Sequence, residues 1–154
     1  MTRLLLEAEG TAGFVCSKTH ITYAFQLDRP GGALRLDFAY EPKNLEDRER
    51  AKILIAEGVE RYTEPAQREL VMGRWESFLP LKNLITLSVD DPSGHRGAGH
   101  RHDPEQRLFI GASDASPGFA AGELAAGLWR VTLSLHAIVT ESCRYRLRIH
   151  HEEA

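Results

Sequence analysis

Cysteine is scarce in this chain, with two in 154 residues. Cys16 and Cys143 lie far apart and outside any CxxC spacing, which predicts buried, reduced thiols in a cytoplasmic protein. A bridge between them would require the first and last strands to be neighbours. Long apolar runs are lacking as well: no stretch approaches the ~20 residues of a membrane span. The N-terminus, MTRLLLEAEG, is interrupted by Glu7 and Glu9 and has neither the apolar core nor the small-residue cleavage site of a signal peptide. The formal net charge is only -3, which argues against an overall pull toward nucleic acid and leaves any polyanion contact to a local patch. There is no GxSxG elbow, no P-loop and no GxGxxG after a strand, and neither cysteine has an activating histidine beside it. Nucleophilic catalysis and nucleotide binding therefore find no support, and the expectation is that the protein is not an enzyme. Internal repeats, low-complexity tracts and linkers are missing too, so residues 1–154 read as one domain.

What is present is a globular balance of 42% hydrophobic and 27% charged residues. A chain of this length buries roughly 70% of its unfolded surface and needs no disulfide or metal to fold. Most of its apolar residues recur with period two. Ile21, Tyr23, Phe25 and Leu27 alternate with Thr22, Ala24 and Gln26, and after an Asp-Arg-Pro-Gly-Gly turn Leu34, Leu36, Phe38 and Tyr40 alternate with Arg35 and Asp37. The pair reads as a hairpin. Ile85, Leu87 and Val89 continue the pattern, as do Trp129 through Val139, and the last strand sets Cys143, Tyr145, Leu147 and Ile149 against Arg144, Arg146, Arg148 and His150. Such strands are half-buried and antiparallel.

One segment breaks the period. In NLEDRERAKILIAEGVERY, residues Ala51, Leu54, Ile55, Val59 and Tyr62 fall on one helical stripe, with Asn44 as N-cap and Glu46 and Asp47 suited to the helix dipole. This predicts a packing helix over about residues 44–63 that closes one end of the sheets. Gly58 lies on the stripe, where a missing side chain would let the helix approach the sheet. Pro65 follows shortly beyond.

The most informative part of the sequence is WESFLPLKNLITLSVDDPSGHRGAGHRHD, where an alternating strand enters a long loop, about 91–122, rich in Gly, Pro, Asp and His, with one short apolar strand, Leu108 to Ile110, inside it. Loops carried on a rigid sheet are where binding residues concentrate. Asp90-Asp91-Pro-Ser-Gly is a turn that also sets two carboxylates beside His95. His100 and His102 have the i, i+2 spacing that points two imidazoles to one side of an extended segment, with Asp103 next in line. His95, His100, His102, Asp91 and Asp103 are thus candidate ligands for a divalent metal, zinc on the imidazoles or calcium on the carboxylates. The competing reading is of solvated loop histidines.

A second candidate is the outward row Arg144, Arg146 and Arg148, with Arg130 placed beside it on the adjacent strand. Guanidinium groups at i, i+2 could grip carboxylates or phosphates bidentately, or they could simply form a charged face matched by Asp28, Asp37 or neighbouring glutamates. Trp75 and Phe119 are candidate stacking platforms for a sugar ring, against the plainer reading of aromatic burial.

The run PLKNLITLSVDDPSGHRGAGHRH, then ASPGF, then LAAGLWRVTLSLHAIVTESCRYRLRIH resembles the β-sandwich domain that precedes the catalytic domain in bacterial PHP-type metallohydrolases of the CehA/McbA kind. It resembles more weakly the pre-peptidase C-terminal sandwich, in which a DPxG turn is followed by an aGxWxVxL strand. The likeness covers about Pro80 to His150. The chain ends in RIHHEEA where such an enzyme would begin a metal-binding DLHxHT strand, so no catalytic residue carries over and the resemblance implies an accessory domain that has lost, or is separated from, its hydrolase. The expected fold is a mainly β, antiparallel, jelly-roll-like sandwich with one inserted α-helix. The expected function is a non-catalytic binding or accessory module that associates with itself or with a protein partner, a separately encoded metallohydrolase. The alternatives are a small metal-dependent hydrolase at His95, His100 and His102, and a carbohydrate-binding module.

Overall fold

The computed structural model describes residues 1–99 and 102–154. The strands are β1 (Thr2–Ala12), β2 (Thr19–Leu27), β3 (Ala33–Glu41), β4 (Leu84–Asp91), β5 (Gly94–Gly99), β6 (Glu105–Ile110), β7 (Gly127–Ala137) and β8 (Cys143–Glu152). Among the described residues they form two four-stranded antiparallel sheets, ordered β1-β8-β3-β6 and β2-β7-β4-β5. This is the order of a jelly roll, in which the chain passes repeatedly from one sheet to the other. The alternating residues of both sheets meet in one core. Phe25, Leu36, Leu87, Trp129, Leu133 and Leu147 are all buried there, as their periodicity requires.

Periodicity fixed the inward face of each strand but not its neighbour. The expected hairpin between β2 and β3 does not form: β2 pairs with β7, whereas β3 pairs with β6 and β8. The connection between them, with Gly31 and Gly32 at φ of +83° and +72°, carries the chain across the sandwich. For the same reason β7 and β8 lie in different sheets, so Arg130 is not beside the arginine row. It pairs in register with Ala24 and Asp90 on the second sheet.

The excursion between β3 and β4 holds α1 (Arg48–Tyr62), a second helix α2 (Pro65–Met72) and a 3-10 turn at Trp75–Phe78. The single expected helix is therefore two. Asp47, not Asn44, caps α1, accepting a hydrogen bond from the Arg50 amide at 3.1 Å, while Asn44 forms a bridge with Lys82. Pro65 starts α2 because a proline at the first helical position forfeits no internal hydrogen bond. Ala51, Ile55 and Val59 are the buried face of α1. Gly58 does not bring the helix close to the sheet: a Cβ placed there would meet nothing within 4 Å.

Within the expected long loop, the short strand at Leu108 to Ile110 is present and begins earlier, at Glu105, as β6, and β5 is an additional strand. β5 is an edge of the second sheet, and the segment leading to β7 covers it. Ala98 N donates to Gly118 O at 3.1 Å and Ala120 N to Arg96 O at 2.9 Å, satisfying the backbone groups an open edge would expose. Phe119 lies against Gly97, where any side chain would collide with it.

At the opposite edge, Tyr145 of β8 crosses Gly10 of β1, a position with no room for a Cβ, and meets Tyr23 of β2 hydroxyl to hydroxyl at 2.6 Å. The pair joins the two sheets. Burial, then the hydrogen bond with Tyr23, pushes the Tyr145 phenol well above its ordinary range. A folded-state value above the unfolded one means this contribution is intact below about pH 10 and is lost as pH rises toward the raised value. Burial shifts Tyr40 and Cys143 in the same direction. Stability is therefore expected to fall above about pH 10, and Tyr145→Phe to flatten that decline in urea titrations at pH 9 to 11.

Candidate functional site

The histidine- and carboxylate-rich turn between β4 and β5 is held together by Asp91. Its Oδ1 accepts from the amides of Ser93 at 2.7 Å and Gly94 at 3.0 Å, and its Oδ2 accepts from Arg96 Nη1 at 3.1 Å. Arg96 is buried. Its Nε donates to Ala120 O at 2.8 Å and Nη2 to Gly122 O at 2.5 Å, and its guanidinium lies 5.6 Å from the centre of the Trp129 ring. The side chains of Arg96 and Asp91 are 8% and 15% exposed, so this is an interior ion pair that pins the covering segment onto β5.

His95 pairs with Asp90, Nδ1 to Oδ1 at 3.4 Å, on a face where the two side chains are 66% and 39% exposed. His102 and Asp103 are exposed beyond the end of β5. His100 lies outside the described residues. Among the described residues no group of three or more His, Cys, Asp or Glu side chains is placed to hold a metal ion. In this arrangement the Asp91 carboxylate serves the turn and Arg96.

The aromatic candidates separate in a similar way. Phe119 is part of the core. Trp75 is half-buried, and the cationic ends of Arg48 and Lys52 lie 5.3 and 5.4 Å from its ring centre, occupying the surface a sugar would stack on.

The arginine row does line the outer face of the first sheet, as its spacing requires. Register gives each member different neighbours. Arg148 lies between Glu7 and Asp37, Arg146 between Glu9 and Ala39, and Arg144 between Thr11 and Glu41. Arg148 is tied to Glu7, with Nε at 3.1 Å and Nη2 at 3.0 Å from Oε1. Among the described residues Arg144 and Arg146 form no ion pair within 4.0 Å.

Between these two arginines the surface dips. Ala39 is a short side chain on an outer face otherwise built of long charged ones, and Glu105 of β6 stands across from it. The result is a groove of about 650 Å³ running across the strands, walled by Glu9, Glu41, Glu105, Lys43, Arg144 and Arg146. Lys43 reaches it from beyond β3, donating from Nζ to Tyr40 Oη and to Asn83 O, both at 2.8 Å. Burial lowers its pKa, an effect that Asp103 opposes. Asn83 is buried and fully engaged: Nδ2 donates to Pro42 O at 2.9 Å and Thr140 Oγ1 at 2.8 Å, and Oδ1 accepts from Val139 N at 2.7 Å. That hub fixes the wall holding Lys43. Sequence reasoning missed Ala39, Lys43 and the three glutamates; the only trace of the groove was an alanine among the charged outward positions of RLDFAYE.

Cys16 and Cys143 are free thiols, and burial pushes that of Cys143 up. Among the described residues no helix is long and apolar enough to cross a membrane. No protein-family profile and no curated protein matches the chain. It is similar to a crystal structure of a protein from Sulfurospirillum deleyianum at 8% identity and a TM-score of 0.33, over 97% of this chain and 99% of that one.

Proposed function

We propose that this chain is a non-catalytic binding module that presents the outer face of its first sheet to an acidic segment of a partner protein. The observation that carries this reading is the groove over Ala39, flanked by two arginines that form no ion pair within 4.0 Å among the described residues. Guanidinium forks on a rigid central strand suit bidentate capture of carboxylates. Glu9, Glu41 and Glu105 compete with an acidic ligand for them, so the association is moderate and weakens with salt. The resemblance to an accessory sandwich is consistent with this role. A metal-dependent hydrolase at His95, His100 and His102 would instead have to draw any Asp91 ligand away from Arg96, and a carbohydrate module would have to clear Arg48 and Lys52 from Trp75.

An immobilised glutamate-rich peptide is the probe. With a net charge of -3 the protein as a whole repels it, so retention reports a local site. Saturable binding is expected, weakened at least ~10-fold, or about 1.4 kcal/mol, by Arg144→Ser with Arg146→Ser, and blocked by Ala39→Trp. Arg130→Ser, on the other sheet, should leave it unchanged. An equal loss with Arg130→Ser, or no saturable binding, would overturn the proposal. Light scattering that showed a dimer dispersed by the same two substitutions would make a second copy of the chain the partner.

A further inference from the structure

The register of the first sheet sorts the charges on its outer face. Residues directly across from each other in an antiparallel pair attract when their charges are opposite and repel when they are alike. Glu7 stands opposite Arg148, Glu9 opposite Arg146, and Glu41 opposite Arg144. Asp37 lies between Arg148 and Arg107. Glu152, at the far end of β8, is paired with the Arg35 side chain. Glu105 differs: among the described residues no basic residue stands across from it. β6 is the edge of the sheet, and the partner of Glu105 on β3 is Ala39.

The space over Ala39 is bordered mostly by negative charge. Asp37 and Glu41 lie two residues before and after it on β3, so their side chains share its face, and Glu105 stands across from it; all three are exposed. Among the described residues these carboxylates form no ion pair within 4.0 Å. Arg146, on the other side of Ala39, has Glu9 beyond it, and Lys43 donates to Tyr40 Oη and Asn83 O. The groove of about 650 Å³ meets a smaller dip of about 350 Å³ here, since Ala39, Glu105 and Arg146 line both. A side chain entering over Ala39 therefore arrives among three carboxylates, with Arg144 and Arg146 one strand away. A glutamate would be repelled there and a basic side chain attracted.

We propose that the acidic segment docked on this face carries one basic residue, whose side chain enters the space over Ala39 and pairs with Glu105 while other carboxylates of the segment meet Arg144 and Arg146. This inference rests on the acidic-partner reading of the same face and adds the sign of the residue seated at its centre. An exposed ion pair contributes little by itself, but a basic residue in place of a glutamate also relieves repulsion from Asp37, Glu41 and Glu105.

Fluorescence anisotropy with three matched peptides tests it: an all-glutamate peptide, the same peptide with lysine at its central position, and the same with norleucine there, which has an alkyl stem without the charge. The lysine peptide is expected to bind ~3–5-fold more tightly than either of the others, although it carries less of the negative charge that Arg144 and Arg146 attract. Glu105→Gln, at an exposed edge position, should reduce that preference by weakening the lysine peptide and strengthening the all-glutamate one, with the melting temperature unchanged. Equal affinity of the lysine and norleucine peptides, tighter binding of the all-glutamate peptide, or a preference undiminished in Glu105→Gln would overturn this inference and leave the acidic-partner reading in place. No saturable binding by any of the three would overturn both.

Discussion

Asp91→Ala is expected to destabilise the protein by about 3–5 kcal/mol, the cost of leaving one member of an interior ion pair without the other. Arg96 keeps the carbonyls of Ala120 and Gly122, which places the loss toward the lower end of that range. The turn also loses the acceptor for the amides of Ser93 and Gly94. Denaturant midpoints would measure the total. Hydrogen exchange would locate it: the amides of Ala98 and Ala120, which pair β5 with its covering segment, should lose protection ahead of the core strands. His95→Ala and His102→Ala, at exposed positions, should each change stability by less than about 0.5 kcal/mol. A small effect of Asp91→Ala would show that Arg96 does not depend on it.

Leu133→Ala is expected to cost about 2–5 kcal/mol, the range for emptying a packed core position. Leu133 is fully buried on β7, an inner strand of the second sheet, and pairs in register with Ile21 on one side and Leu87 on the other. Few places around it can move inward to fill the space, since on both sides of Leu133 the ladders to β2 and β4 are unbroken. Arg130→Ser on the outer face of the same strand should change stability by less than about 0.5 kcal/mol. A loss at Leu133 no larger than that control would place the residue outside the core.

The inward faces were legible because side-chain direction in a strand is a local property with a period of two. Phe25, Leu36, Trp129 and Leu147 could be assigned to the interior from their immediate neighbours alone. Where the period failed, the reason is physical. β5 has the sequence GHRGAG, with almost no apolar side chain, and its burial comes from a backbone segment and Phe119 laid over its glycines. No pattern within β5 records that cover. The second helix was missed because its eight residues span little more than two turns, too short a window for a helical period to stand out.

The candidate sites divide along the same line. From the sequence alone, Arg144, Arg146 and Arg148 had to share one face, and so they do. Only the fold decided what lies beside them: Glu7 pairs with Arg148, Ala39 opens a groove next to Arg146, and Arg130 is carried away to the other sheet. Likewise the sequence set Asp91 beside His95, but the fold brought Arg96 inward to claim its carboxylate. The sequence by itself determined a mainly β chain, the inward residues of its strands and the position of α1, since each depends on contacts a few residues long. The jelly-roll order, the partner of every charged side chain and the groove over Ala39 were decided by tertiary structure, because they depend on which distant strands lie side by side and on where a short residue leaves space between them.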